Sequence, residues 1–259
     1  DYLLIPSFIS VPHPEKKGES CHLCPYVQSF AYQVKSAFAN RFGRTKLITE
    51  PLHLGLGKKY VQKTFANLAL QIGFKGSIVK KALARAGSAQ RTFEKELVAK
   101  GRQILDQLGP DERIFVLLSR PYNGLDDGLN LQLPQKMAQL GMRVLPMEML
   151  DLTETPQIRP ELHENLYWSY AHKILRAADI IRRDQRLFAV YLSNFSCGPD
   201  SFLQTFFKDV MHPQPSLILE LDEHSADAGV MTRLEAFSES LKNYNSSEDK
   251  IAGSSAENQ

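Results

Sequence analysis

The chain is poor in cysteine. Its 259 residues contain three, at Cys21, Cys24 and Cys197. An odd count excludes complete internal disulfide pairing. So few thiols, with no export signal, predict a reducing cytoplasm. Long apolar runs are also missing, and none reaches the roughly 18 residues that a membrane span needs. There is no excess charge of one sign. A net charge of +2 gives no electrostatic case for nucleic acid. No G-x-x-x-x-G-K-[ST] loop is present, so this chain offers no P-loop of its own for ATP. Gly55-Leu56-Gly57 lacks the rest of a dinucleotide fingerprint. No internal repeat of fixed period occurs. What remains is ordinary for a globular protein: 43% hydrophobic and 23% charged residues, enough for a substantial core. The opening Asp1-Tyr2-Leu3-Leu4-Ile5-Pro6 reads as a strand entered without an initiator Met, which predicts a piece of a longer polypeptide.

The pattern alternates strand and helix. Leu3–Ile5 reads as a strand and Pro12–Ser20 as a Pro/Gly/Lys-rich loop. From Pro25 to Phe42, apolar residues at Val27, Phe30, Ala31, Val34, Ala37 and Phe38 keep helical spacing. Lys46–Thr49 reads as strand and Lys58–Ile72 as helix. The stretch from Ser77 to Leu108 reads as mostly helix. It carries Lys80, Lys81, Arg85, Arg91, Lys95, Lys100 and Arg102 against Glu94, Glu96 and Asp106. That surplus reads as a solvated face, or as a docking surface for an acidic or phosphate-bearing partner.

Beyond Gly109-Pro110 the alternation becomes regular. Arg113–Leu118, Arg143–Leu145, Leu187–Leu192 and Leu217–Leu221 read as strands. Helices are expected at Leu131–Leu140, Leu162–Ile181, Ser201–Val210 and Met231–Tyr244. Uninterrupted apolar strands alternating with helices predict parallel sheets covered on both faces. The expected architecture is α/β. An N-terminal lobe spans residues 1–109, a flavodoxin-like lobe 110–244, and a disordered tail 245–259.

In open α/β sheets, ligands bind beyond the carboxyl ends of the strands. Three polar segments fall there: Ser119-Arg120-Pro121-Tyr122-Asn123-Gly124, Ser193 through Ser201 with Cys197, and Asp222 through Gly229 with His224. Cys21 and Cys24 form a C-x-x-C-P unit at the start of the Pro25 helix. Unpartnered N–H groups and the helix dipole there favour thiolate. Gly18 and Gly198 allow close approach of the backbone. A close thiol pair plus a distant third fits an iron–sulfur cluster, a zinc site completed by His13 or His22, or no metal at all. Redox dithiol chemistry would leave Cys197 unexplained. Asp200 is expected to cap a helix beginning near Ser201. Ser119, Arg120, Tyr122 and Asn123 are candidate pocket residues, and Asp200, Asp222 and His224 are candidates for tuning charge and proton supply.

Several segments carry a family resemblance. They are Leu4-Ile5-Pro6-Ser7-Phe8, Cys21 through Val27, Arg120-Pro121-Tyr122-Asn123, Asn194 through Ser201, and Glu220 through Gly229 followed by Thr232 through Phe237. Up to about Tyr244 the chain resembles the uncharacterised domain of large acyl-CoA dehydratase activase-related proteins. That domain is itself similar to the iron–sulfur subunits of 2-hydroxyacyl-CoA dehydratases and to double-cubane cluster proteins. The resemblance implies flavodoxin-like lobes and a [4Fe-4S] cluster on Cys21, Cys24 and Cys197. It also implies an ATP-hydrolysing activase partner of the actin/Hsp70-like fold, in the same polypeptide or another, and an acyl-CoA-type substrate. In such systems ATP hydrolysis drives one low-potential electron onto the cluster. With cysteines for one cubane, the chain does not suit a double cubane. The competing expectation is a non-enzymatic scaffold domain that binds zinc or nothing.

Overall fold

A computed structural model describes residues 1–14, 16, 18–153, 166–242 and 244. The expected tail 245–259 lies outside these residues, as do most of the Pro/Glu-rich loop after Asp151 and the first residues of the helix expected from Leu162. The chain is mixed α/β with helices covering its parallel sheets. Two compact units are present. The first comprises residues 1–93 and 165–172, the second 94–164 and 173–259. Among the described residues, no helix is long and apolar enough to cross a membrane.

The first unit is built on short strands. β1 (Tyr2–Leu4) pairs in parallel with β4 (Lys46–Ile48). β2 (Ser7–Pro12) is the centre of a second sheet. It pairs antiparallel with β3 (Ser20–His22) and in parallel with β5 (Pro51–His53). Gly55 lies against this sheet, where an added Cβ would collide with the Ser20 side chain and crowd the Val11 carbonyl. α1 (Pro25–Ala37) starts directly after Cys24 and buries Ala31 completely. α2 (Lys58–Gln71) places Leu68 with Ile48 and Leu52 in a small core that Phe8 and Phe65 border. Residues 166–172 join this unit through the backbone. The His22 N–H donates to the Tyr167 carbonyl at 2.7 Å, and His22 forms a parallel bridge with Trp168. α3 (Val79–Asp106) is long, and its seven basic residues named above are all exposed.

The second unit holds one parallel sheet of four strands: β6 (Ile114–Leu118), β7 (Arg143–Pro146), β8 (Leu187–Asn194) and β9 (Ser216–Leu221), in the order β7-β6-β8-β9. All of β6 is buried, as is β8 up to Ser193. This is why both read as unbroken apolar runs. Further helices are α4 (Pro121–Gly124), α5 (Leu133–Gln139), α6 (Ser169–Arg183), α7 (Gly198–Met211) and α8 (Asp227–Lys242). On one face of the sheet, Leu133 and Met137 of α5 and Val230, Leu234, Phe237 and Leu241 of α8 pack with Phe115, Leu117, Phe188, Val190 and Leu219. On the other, Phe207 of α7 meets Tyr191 of β8 edge-on at 5.1 Å. The strand order reverses between β6 and β8, the place where doubly wound sheets open a crevice at their carboxyl ends.

Candidate functional site

In the second unit, the crevice end of β6 and β8 holds a buried polar cluster. Arg120, just past β6, forms an ion pair with Asp200, and both side chains are almost wholly buried. Arg120 also donates to Asn194 Oδ1 at 3.1 Å. Asn123 donates to the same oxygen. Ser193 Oγ donates to Asp200 Oδ2 at 2.8 Å. The Arg120 guanidinium carbon lies 5.4 Å from the centre of the Tyr122 ring. Ser119 Oγ donates to the Arg120 carbonyl at 3.0 Å. Gly124 lies beside it, where an added Cβ would collide with Ser119 Oγ and force the serine to shift.

Cys197 stands at the edge of this cluster as the N-cap of α7, with Pro199 in the first turn. Its carbonyl accepts the Ser201 N–H at 2.8 Å and Ser201 Oγ at 2.9 Å. Ser196 before it has φ +58°, which turns the chain sharply out of β8. Burial pushes the Cys197 thiol above its ordinary value. The Asp200 N–H and the Arg120 side chain pull it back, while the Asp200 carboxylate acts with burial. Tyr191, buried near Asp200, is held far above its ordinary value, first by burial and then by the Asp200 charge.

The helix begins earlier than expected and Asp200 does not cap it. Cys197 holds the cap position, Gly198 opens the helix, and Asp200 lies inside the first turn. Its carboxylate is taken by Arg120 and Ser193. Sequence reading placed Asp200 by residue preference alone, and the buried arginine across the crevice decided otherwise.

Asp222 and His224 stand apart from the buried cluster, in an exposed turn after β9. Asp222 Oδ1 accepts the His224 N–H at 3.0 Å and Ser225 Oγ at 2.8 Å. The Ser225 hydroxyl is the first cause that lowers the Asp222 pKa. His224 is largely exposed, its Nε2 3.7 Å from Glu223.

In the first unit, Cys21 lies opposite Val11 in the β2–β3 hairpin, 1% exposed. Burial pushes its thiol up to about 11, with Glu19 adding to the effect and Lys16 opposing it. Cys24 is half-buried at the N-cap of α1, followed by Pro25 at the helix start. None of the three cysteines is in a disulfide. Cys24 and Cys197 share a local frame: each caps a helix that carries proline in its first two positions, and neither cap uses a side-chain hydrogen bond. The unpaired N–H groups of the first turn are therefore left to the surroundings of the sulfur. Gly198 has nothing within 4 Å of an added Cβ, and Gly18 has φ +90° with the same open space.

A further group was not visible in the sequence. His13, Cys21 and His172 present ligand atoms within 4.8 Å of one another. Sequence reading paired His13 with the cysteines but gave His172 no role, since nothing in a helical repeat marks one histidine as ligand-bearing. His22, the other histidine considered, is exposed.

Residues 1–150 match a family described as a CoA enzyme activase uncharacterised domain. No curated protein and no solved structure matches the chain.

Proposed function

The chain belongs to the CoA enzyme activase uncharacterised-domain family, and from that premise we propose that it is the iron–sulfur module of an ATP-driven, low-potential electron-transfer system. Cys21, Cys24 and Cys197 would hold a [4Fe-4S] cluster. Bound by three thiolates, such a cluster supplies electron storage and one iron with an open coordination position. The donor chemistry fits: the protein's three cysteines are all unbridged, and two of them cap helices whose N–H groups suit an anionic sulfur centre.

The observation that carries the reading is the setting of Cys197. Its thiol stands at the start of α7, where the Asp200 N–H and the Arg120 side chain both favour the thiolate against the effect of burial. A buried cation and a helix start thus converge on one sulfur at the switch point of a parallel sheet, where α/β proteins keep their chemistry. Arg120, fixed by Asp200 and Asn194, holds positive charge beside that sulfur. Ser119, Tyr122 and Asn123 line the same strand end and are the proposed contacts for an acyl-CoA-type substrate. Asp222 and His224, on their exposed turn, are proposed to act in proton supply. The exposed basic residues of α3 are the proposed contact for the ATP-hydrolysing activase.

Anaerobic purification with iron and sulfide analysis tests the reading. Equal amounts of iron and acid-labile sulfide are expected, and Cys197→Ser should lose most of the iron. Unchanged iron in that variant would remove Cys197 from the ligand set and with it the three-cysteine cluster.

A further inference from the structure

The histidine–cysteine group of the first unit is a different kind of site. We propose that His13, Cys21 and His172 form a binding site for a divalent zinc-class cation, independent of Cys24 and Cys197.

Three observations support it. The ligand atoms are gathered within 4.8 Å although they come from two segments of chain far apart in sequence. The backbone holds those segments together: Cys21 is paired to β2, and His22 is bonded to Tyr167. Next, His172 is completely buried, and its Nε2 lies 3.1 Å from the Leu166 carbonyl. A carbonyl only accepts, so Nε2 carries the proton and Nδ1 is the lone-pair nitrogen. Metal-binding histidines are typically oriented in this way, by a backbone acceptor on the other ring nitrogen. Finally, two imidazoles and a thiol are borderline-soft donors. They suit Zn²⁺ and leave a fourth position for water.

Filling the site requires small adjustments. Tetrahedral zinc holds nitrogen and sulfur ligands about 3.4–3.6 Å apart, so the longest separation must close by about 1 Å. The His13 Nδ1 accepts the Lys16 N–H at 2.9 Å, and coordination through that nitrogen gives up this bond. His13 follows β2 directly and is half-buried, beside exposed Pro14. Cys21 releases its proton to solvent as the metal–sulfur bond forms; the two imidazoles bind as neutral rings. Because Cys21 also belongs to the proposed cluster, the two occupancies exclude each other at that sulfur.

The test is anaerobic titration of the metal-stripped full chain with Co²⁺, a coloured stand-in for zinc. One equivalent should bind, with tetrahedral ligand-field bands and a sulfur-to-cobalt charge-transfer band. Cys21→Ser should abolish the charge-transfer band. His13→Gln, at a half-buried turn position, should weaken binding at least about tenfold while circular dichroism stays unchanged. His172→Gln should do the same if it folds. Cys24→Ser and Cys197→Ser should leave the spectrum intact, even where they remove iron. Absence of binding, an unchanged His13→Gln titration, or loss of the bands in Cys24→Ser or Cys197→Ser would overturn the site. The last outcome would assign the metal to the cysteine trio instead, so this site and the cluster fail separately.

Discussion

The two cysteine-bearing helix starts share a cap geometry and differ in what holds the surrounding residues. Cys197 is set among side chains locked by charge: Arg120, Asp200, Asn194 and Ser193 satisfy one another in a buried network. Cys21 and Cys24 are set by backbone pairing, with β3 held to β2 and His22 to Tyr167. A charge network fixes side-chain geometry but depends on each member, since an unpartnered buried charge is costly. A backbone ladder fixes the chain and leaves the side chains open to other partners, here two histidines beside a thiol. The second unit thus keeps one arrangement of side chains, and the first is where the further cation site is proposed.

The strongest way to break this contrast is Asp200→Ala. It leaves Arg120 buried and charged without its carboxylate, and should cost about 3–5 kcal/mol in urea unfolding. The double change Arg120→Met with Asp200→Leu should recover most of that loss. Recovery would show that the pair serves geometry at Cys197 more than stability.

Next in size is a comparison of two glycines. Gly124→Ala should cost about 1–3 kcal/mol, because its Cβ meets Ser119 Oγ in a packed corner. Gly198→Ala, facing open space at the start of α7, should stay within about 0.5 kcal/mol. Equal effects at both would mean that the crevice is looser than its contacts indicate.

Thiol alkylation in the metal-free protein separates the two regions more gently. Cys21, 1% exposed, should react at least about tenfold more slowly than half-buried Cys24 and Cys197. Peptide mapping of the modified chain reads the order directly, and a fast Cys21 would show that the β2–β3 hairpin opens.

The smallest effect concerns Asp184, whose pKa is lowered, first by the Arg186 hydrogen bond. A lowered carboxyl pKa means that its stabilisation is complete above the ordinary carboxylate range and is lost as pH falls through the folded value. The pair is partly exposed, so screening keeps the contribution to no more than about 1 kcal/mol. Asp184→Asn should lower stability at neutral pH by no more than about 1 kcal/mol and leave it nearly unchanged at the acid end, so the acid limb flattens. An unchanged acid limb would mean that the pair stabilises nothing.

The parallel sheet was legible because both faces of its inner strands are buried. Arg113–Leu118 and Leu187–Leu192 could be read from apolar runs alone, to within a residue or two of their observed ends. Of the small strands of the first unit, β1 and β4 were read as Leu3–Ile5 and Lys46–Thr49, whereas β2, β3 and β5 were not legible. Ser7–Pro12 carries serine at two of its six positions and ends on proline, so only its pairing with β3 and β5 identifies it as a strand. The cap at Cys197 was missed because aspartate is the commoner capping residue. Nothing in the sequence reports that Arg120, eighty positions earlier, claims the Asp200 carboxylate.

The sequence by itself determined the α/β class, the parallel sense of the apolar strands with their polar carboxyl ends, and the placing of Cys24 at a helix start. These follow from local periodicity and from proline and glycine punctuation, which act over a few residues. Only the tertiary structure decided that Arg120 belongs to Asp200, that Asp222 and His224 form an exposed turn of their own, and that His172 meets Cys21. Burial, ion pairing and imidazole orientation depend on which distant segments share a space, and that is fixed by packing rather than by any local pattern of residues.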